Sequence, residues 1–268
     1  MPELPEVETI VRELRQKICG EIFREVELLW EKSFESPDQL TIENQEIRSI
    51  GRKGKYIIFN LQHGFLITHL RMTGQLIVSD KPADELKHLR IVFHMRSGRH
   101  LLFYDLRKFG RIILTDNPQK VLKNTGPDAL DDEFSADDLR KRTKGKTRSI
   151  KAFLLDQRNL SGLGNIYIDE SLFLAGLHPE SRAGALSRMQ NDRLYRAIRD
   201  ILNAAIGRMG TTISDYKTTG GGFGENQNHL FVYGREGQAC FHCSTVINKI
   251  KHCGRGTHFC PGCQKKVN

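Results

Sequence analysis

KYIIFNLQHGFLITHL, residues 55–70, decides the architecture of the N-terminal half. KYIIFNL and FLITHL are runs rich in β-branched and aromatic residues. The His63-Gly64 pair between them supplies turn chemistry, so the stretch reads as a hairpin. Working outward, LRIVFHM (89–95) and HLLFYDL (100–106) flank RSGR (96–99) and form a second hairpin on a Ser-Gly turn. EIFREVELLW (21–30), QLIVSD (75–80) and RIILTD (111–116) add further short strands. Many short strands at close spacing predict an antiparallel sandwich or barrel that ends near Asp116.

Ahead of this block the chain opens MPELPEVET (1–9). Pro5 suits the start of a helix, and Glu6 and Glu8 suit its positive end, which predicts a helix through roughly Val11 to Lys17. Neither argument accounts for Pro2. Beyond the strands, residues 117–134 carry Pro, Gly and Asp without a strand pattern and read as a connection. From Ser135, an N-cap, the pattern is helical: SADDLRKR, SIKAFLLDQ, NIYIDESLFLAG and LSRMQNDRLYRAIRDILNAAIGRM. TTGGGFGENQN (218–228) reads as a mobile loop from its glycines. The expected bounds are 1–116 for the sandwich, 117–134 for the connection, 135–234 for the helical domain and 235–268 for a Cys-rich unit. The expected class is thus α+β, with more than one domain.

With 268 residues, 38% hydrophobic and 27% charged, the composition is that of a water-soluble globular protein. No apolar run is long enough to span a bilayer, and the acidic opening is not a signal peptide, so the expected location is the cytoplasm. The net charge of +9 points to a polyanionic partner.

Six cysteines are present. Cys240 and Cys243 form one CxxC, and Cys260 and Cys263 form a second after sixteen residues. Each pair can place two thiolates on one metal, which predicts a tetrahedral Zn2+ site, one per chain. Four thiolates leave no open position, so the metal is structural. Cys19 and Cys253 are left over, and His242, His252 and His258 are bystanders to that set. Within the unit, Lys249, Lys251 and Arg255 surround a Gly-rich turn suited to phosphate. Gly162 and Gly164 precede Asn165, which reads as an N-cap whose following N–H groups can meet an anion.

PELPEVE (2–8), GRKGKY (51–56), HLRMTG (69–74), DLRKFG (105–110), LLDQRNLSGLGNIYIDESLF (154–173), VYGREG (232–237) and GRGTHFCPGC (254–263) resemble, in order and across essentially the whole chain, the bacterial formamidopyrimidine-DNA glycosylases. The related endonuclease VIII enzymes share the fold, but their opening typically differs from PELPEVE. The resemblance implies a β-sandwich led by a helix, a helical domain with a helix–two-turn–helix motif, and a four-cysteine zinc finger, with damaged double-stranded DNA bound in a basic cleft by a monomer. Implied with it are a cytoplasmic, nucleoid-associated location, excision of oxidised purines such as 8-oxoguanine and formamidopyrimidines, and cleavage at the resulting abasic site.

Pro2 then acquires a role. Removal of Met1, expected before a small residue, exposes a secondary α-amine. Such amines have pKa values near 8, so far more is neutral at pH 7 than for lysine, and attack on sugar C1′ forms an iminium. Glu3 stands beside it as a general acid for ring opening, and Glu6 steadies cationic intermediates and the N-terminus. Lys55 matches the family's hairpin lysine at a lesion phosphate. Met72, Arg107 and Phe109 match three residues inserted into the duplex, while Asn165, Arg255 and Lys151 match contacts to phosphates or the lesion. Two other readings stay open. One is a glycosylase for oxidised pyrimidines, decided by the segment around Tyr216 to Gln227; the other is a non-catalytic protein that binds damaged DNA. The intact Pro2, Glu3 and Lys55 speak against the latter. Thr73, beside Met72, has no assigned role.

Overall fold

The computed structural model describes residues 1–83, 86–213 and 216–268. Helix α1 (Leu4–Ile18) begins one residue earlier than Pro5 suggests, because Glu3 is the N-cap. Its apolar residues Val7, Ile10, Val11, Leu14 and Ile18 recur at helical spacing, and all are buried in one core.

The strands that follow are β1 (Phe23–Leu28), β2 (Phe34–Glu35), β3 (Ile47–Lys53), β4 (Tyr56–Leu61), β5 (Phe65–His69), β6 (Gly74–Ser79), β7 (Leu89–Met95), β8 (His100–Asp105) and β9 (Arg111–Thr115). They form two sheets, ordered β1-β7-β8-β6 and β2-β9-β5-β4-β3. Both expected hairpins are present: β4 pairs antiparallel with β5, and β7 with β8 across Ser97-Gly98, where Gly98 takes φ +90°. The pairing of β2 with β9 is parallel. A single core joins residues of both sheets, such as Phe59, Leu66, Phe93 and Phe103, to the buried face of α1.

Then come α2 (Gln119–Leu122), α3 (Ala136–Thr143), α4 (Ile150–Leu155), α5 (Asn165–Leu174) and α6 (Arg188–Gly207), and the hairpin β10 (Asn248–His252) with β11 (Arg255–Phe259). Ser135 caps α3 as expected, accepting from Asp138 N–H. No helix among the described residues is long and apolar enough to cross a membrane.

The chain divides into two compact units, Met1–Asn124 with Ile206–Gln227, and Thr125–Ala205 with Asn228–Asn268. In the second unit the Cys-rich segment packs on α5: Phe173 shares a core with Val232, Cys240, Ile247 and Cys260. The chain end is hydrogen-bonded back to the helical segment, His178 N–H to Lys265 O and Arg182 N–H to Val267 O.

Candidate active site and metal centre

Within the first unit, the N-terminus of α1 is fixed by Glu6, which is 1% exposed. Its Oε2 accepts from Glu3 N–H at 2.7 Å, closing a capping box. Its Oε1 accepts from Thr211 N–H at 2.7 Å. The second contact explains Gly210: a Cβ there would stand 2.8 Å from Glu6 Oε1, and φ is +80°. Gly224 packs in turn on Gly210, where a Cβ would run into Gly210 O. Pro2 and Glu3 are both buried at this end. Dipole compensation alone therefore understates Glu6, whose carboxylate ties the first turn to a segment some two hundred residues away.

The segment expected to be a glycine-driven mobile loop, 218–228, follows it, and one of its glycines, Gly224, serves close approach. Thr219 N–H donates to Glu13 Oε2 at 2.6 Å, Lys17 Nζ donates to Thr219 Oγ1 at 2.9 Å, and Gly224 N–H donates to Thr212 Oγ1 at 2.9 Å. Tyr216 donates to Met209 O, and burial, with the Glu6 charge nearby, pushes its phenol well above the ordinary range. Lys217 and Gly221 line a cavity of about 420 Å3 together with Gln75, Lys87 and Tyr104.

Lys55 follows Gly54 (φ +57°) in the tight β3–β4 turn and is mostly buried. Arg52 links this turn to α1: Nε donates to Glu8 Oε2 at 3.1 Å and Nη1 to Gly54 O at 3.0 Å. The sequence reading passed over His69, the start of HLRMTG. Its Nδ1 accepts from Arg71 N–H at 2.9 Å, which leaves the proton on Nε2, and its ring meets Tyr56 edge-on at 4.6 Å. Burial, then the Arg71 and Lys55 charges, push His69 down from 6.5 to about 3. It is a neutral N–H donor at pH 7, close enough to Lys55 to feel its charge.

The folded value of His69 lies below the unfolded one, so the unfolded chain takes up the proton first as pH falls. Stability is full above about 6.5 and is lost on acidification towards 3. Thermal unfolding between pH 7 and 5, above the carboxylate range, should show a loss on the order of 1 kcal/mol per pH unit below 6.5 that His69→Asn lacks. Parallel profiles for the two proteins would mean that His69 protonates freely in the fold.

Met72 occupies the β5–β6 turn, and Arg107 and Phe109 the β8–β9 turn. All three are exposed, Phe109 at 50%. They touch one another: Arg107 Nη1 lies 3.0 Å from Met72 Sδ, and its Cζ stands 5.0 Å from the Phe109 ring centre.

In the second unit, Gly164 is the N-cap of α5 and Asn165 is its first residue, a shift of one from the sequence reading. The reason is that the Asn165 amide is used elsewhere: Nδ2 donates to Gly256 O at 2.9 Å, and Oδ1 is buried without a partner. Asn165 thereby joins the α5 N-terminus to β11 beside exposed Arg255. The turn between β10 and β11, Cys253-Gly254, has φ +52° and +70° and holds that arginine at the hairpin tip. Lys249 is paired with Glu236 at 2.6 Å.

Lys151 requires a correction. It is 0% exposed, with Nζ 2.6 Å from Asp169 Oδ1, and Asp169 Oδ2 accepts from His258 N–H at 2.9 Å. A cation so enclosed braces α4, α5 and β11 and does not present its charge to a phosphate. Next to Asp169, Glu170 accepts from the N–H groups of Phe231, Val232 and Tyr233, and burial holds its carboxyl above the usual range. No spacing in NIYIDESLF signals these inward-facing acids, which appear only once the loops are folded around α5.

Cys240, Cys243, Cys260 and Cys263 bring their sulfurs within 4.8 Å of one another. The Cys243–Cys260 and Cys240–Cys263 sulfurs are 3.4 and 3.9 Å apart. Metal–sulfur bonds of about 2.3 Å at tetrahedral angles require edges of ~3.8 Å, so this donor set fits a metal ion. Neither Cys253 nor His242, His252 or His258 joins the group.

Comparison with known proteins agrees with this arrangement. Residues 1–112 match the formamidopyrimidine-DNA glycosylase N-terminal domain, and residues 125–217 match the H2TH domain of the same enzymes. The chain is 41% identical to formamidopyrimidine-DNA glycosylase of Bacillus licheniformis over 99% of its length and 100% of the relative's. It is similar to a mutant Lactococcus lactis FPG complexed with Fapy-dG-containing DNA, with TM-score 0.92, 37% identity and coverage of 99% and 100% of the two chains. A MutM complex with carbocyclic 8-oxo-G-containing DNA superposes with TM-score 0.90, 38% identity and the same coverage. Similarity of this extent, over both units, makes the chain an enzyme of base excision repair, a DNA glycosylase that is also an abasic-site lyase. The chain belongs to the formamidopyrimidine-DNA glycosylase family.

Proposed function

We propose that the mature enzyme begins at Pro2 and excises oxidised purines, 8-oxoguanine and formamidopyrimidines, from duplex DNA. The Pro2 nitrogen attacks C1′ of the damaged nucleotide, Glu3 protonates the ring oxygen, and the base departs to leave an iminium. The iminium acidifies the C2′ protons, so loss of one releases the 3′ phosphate by β-elimination, and δ-elimination then releases the 5′ phosphate. The observation that carries this reading is the double anchoring of Glu6, which holds the first turn of α1, and with it Pro2 and Glu3, in one buried position.

The remaining residues have parts in the same scheme. Lys55, with His69 beside it, meets the phosphate next to the lesion, and Asn165 and Arg255 meet backbone phosphates from the second unit. Met72, Arg107 and Phe109 enter the space left by the flipped nucleotide; apolar side chains separate base steps, and the Arg107 fork suits the acceptor edge of an unpaired cytosine. Lys217 and Gly221 lie in the segment that faces the lesion, and the cavity they line supports that placement. The four cysteines hold one structural Zn2+, whose part is to keep the hairpin that carries Arg255 folded. The partner is damaged double-stranded DNA, met by a monomer in the cytoplasm; a mutant of the Lactococcus lactis relative was captured on Fapy-dG-containing DNA.

Single-turnover excision tests the proposal. An 8-oxoguanine·cytosine duplex should be cleaved well ahead of one bearing an oxidised pyrimidine. Preference for the pyrimidine lesion would move the chain to the endonuclease VIII branch. In Arg107→Ala the rate advantage of cytosine over the other opposite bases should shrink by about 10-fold, the scale of one bidentate base contact. An unchanged profile would remove Arg107 from the reading role.

A further inference from the structure

Exposed Met72, Arg107 and Phe109 stand on two separate turns, yet the bases of those turns share one buried polar centre. Asp105, 1% exposed at the end of β8, has a carboxylate wholly occupied by groups from both turns. Thr73 Oγ1 donates to Asp105 Oδ1 at 2.5 Å. Arg107 N–H donates both to Asp105 Oδ1 at 3.2 Å and to Thr73 Oγ1 at 3.1 Å. Gly110 N–H donates to Asp105 Oδ2 at 2.7 Å. The backbone of Asp105 is held as well, its carbonyl by Arg90 Nε at 2.9 Å and its N–H by His88 O at 2.9 Å.

Both turns need such a clamp. Each holds a non-glycine residue in the left-handed region, Arg71 at φ +54° and Lys108 at φ +59°. Each ends on a glycine with no room for a side chain: a Cβ on Gly74 would stand 2.5 Å from Leu70 O, and one on Gly110 2.5 Å from Phe103 Cζ. The hydroxyl of Thr73 donates across to Asp105 and accepts from the backbone of Arg107. It therefore fastens the base of the Met72 turn to the base of the Arg107 turn, beneath the Arg107 Nη1–Met72 Sδ contact at their tips.

We propose that Thr73 and Asp105 form a latch that locks the two turns into one rigid probe, and that this latch sets how strictly the base opposite the lesion is read. The proposal rests on the duplex-reading role of Arg107 given above. Thr73 and Asp105 are positioning residues: both are buried, 7% and 1% exposed, and they act through the orientation of Arg107. Position 73 accordingly tunes opposite-base stringency, which a side chain unable to both donate and accept would relax.

The test measures single-turnover excision rates of 8-oxoguanine opposite each of the four bases for the full-length enzyme, Thr73→Val, Thr73→Ser and Arg107→Ala. A ratio of rates within one protein is insensitive to the folded fraction, so a variant that folds poorly still reports. Thr73→Val keeps the shape but removes donor and acceptor, and the preference for cytosine should fall by about 5- to 10-fold, the scale of one net intramolecular hydrogen bond. Thr73→Ser should restore it. If Arg107→Ala flattens the profile while Thr73→Val leaves it intact, or if Thr73→Ser is as relaxed as Thr73→Val, the latch is overturned and the reading role of Arg107 stands. If Arg107→Ala itself leaves the profile intact, that role fails and takes the latch with it.

Discussion

A protein carrying one extra residue ahead of Pro2 should lose imine formation altogether and base excision by at least ~10^3-fold, the scale seen when a covalent nucleophile is removed. With a residue ahead of it the Pro2 nitrogen is an amide, its lone pair delocalised into the carbonyl. Removal of the blocking residue converts it into a secondary amine, neutral for an appreciable fraction at pH 7. The fold should not register the difference. Met1 is half exposed, and the bonds that hold the first turn involve Glu3 N–H, Glu6 and Thr211 N–H, none of which changes. Blocked and processed protein should thus melt alike and bind undamaged DNA alike, and differ in chemistry alone. Intact-mass measurement fixes the N-terminus, and single-turnover rates on an 8-oxoguanine duplex then decide; full activity in blocked protein removes Pro2 from the mechanism.

The second large effect concerns the metal. Cys243→Ser should lose bound Zn2+ and, with it, affinity for DNA. Small metal-bound units depend on the ion for their fold, with apparent binding energies of about 10–16 kcal/mol at neutral pH, so loss of one thiolate removes more than a local contact. The consequence should spread, because Cys240 and Cys260 share a core with Phe173 on α5, and Asn165 at the other end of α5 is bonded to Gly256 in the same hairpin. Metal analysis of purified protein beside a DNA-binding titration checks it. Cys253→Ser serves as the contrast and should retain the metal. Loss of metal from Cys253→Ser with retention in Cys240→Ser would redraw the ligand set.

What was legible in the sequence follows the range of the interactions. The hairpins at 55–70 and 89–106 were readable because strand and turn chemistry are adjacent in the chain. The metal cluster was readable because thiolate spacing is itself the signal. The parallel pairing of β2 with β9 was not, since a two-residue strand leaves no pattern. Nor was the anchoring of Glu6 on Thr211 N–H, a contact between residues some two hundred positions apart, nor the close approach of Gly224 to Gly210, which in 218–228 looks like a glycine kept for mobility. Lys55 could be told from Lys53 only through the family resemblance, and the same resemblance matched Lys151 to a phosphate or lesion contact with no sign in the chain that its partner is Asp169, on another helix. Asp105 hid inside DLRKFG, where the eye goes to the arginine and the aromatic ring. In each case the missing information is a contact made across the fold by a side chain of ordinary type.

Borohydride trapping on an 8-oxoguanine·cytosine duplex, followed by peptide mass spectrometry, tests the central claim most directly. A covalent protein–DNA complex is expected whose reduced linkage maps to the nitrogen of Pro2 as the first residue. A complex of equal yield that maps to a lysine, Lys55 above all, or robust strand cleavage by a Pro2→Gly protein that traps on a lysine, would contradict it.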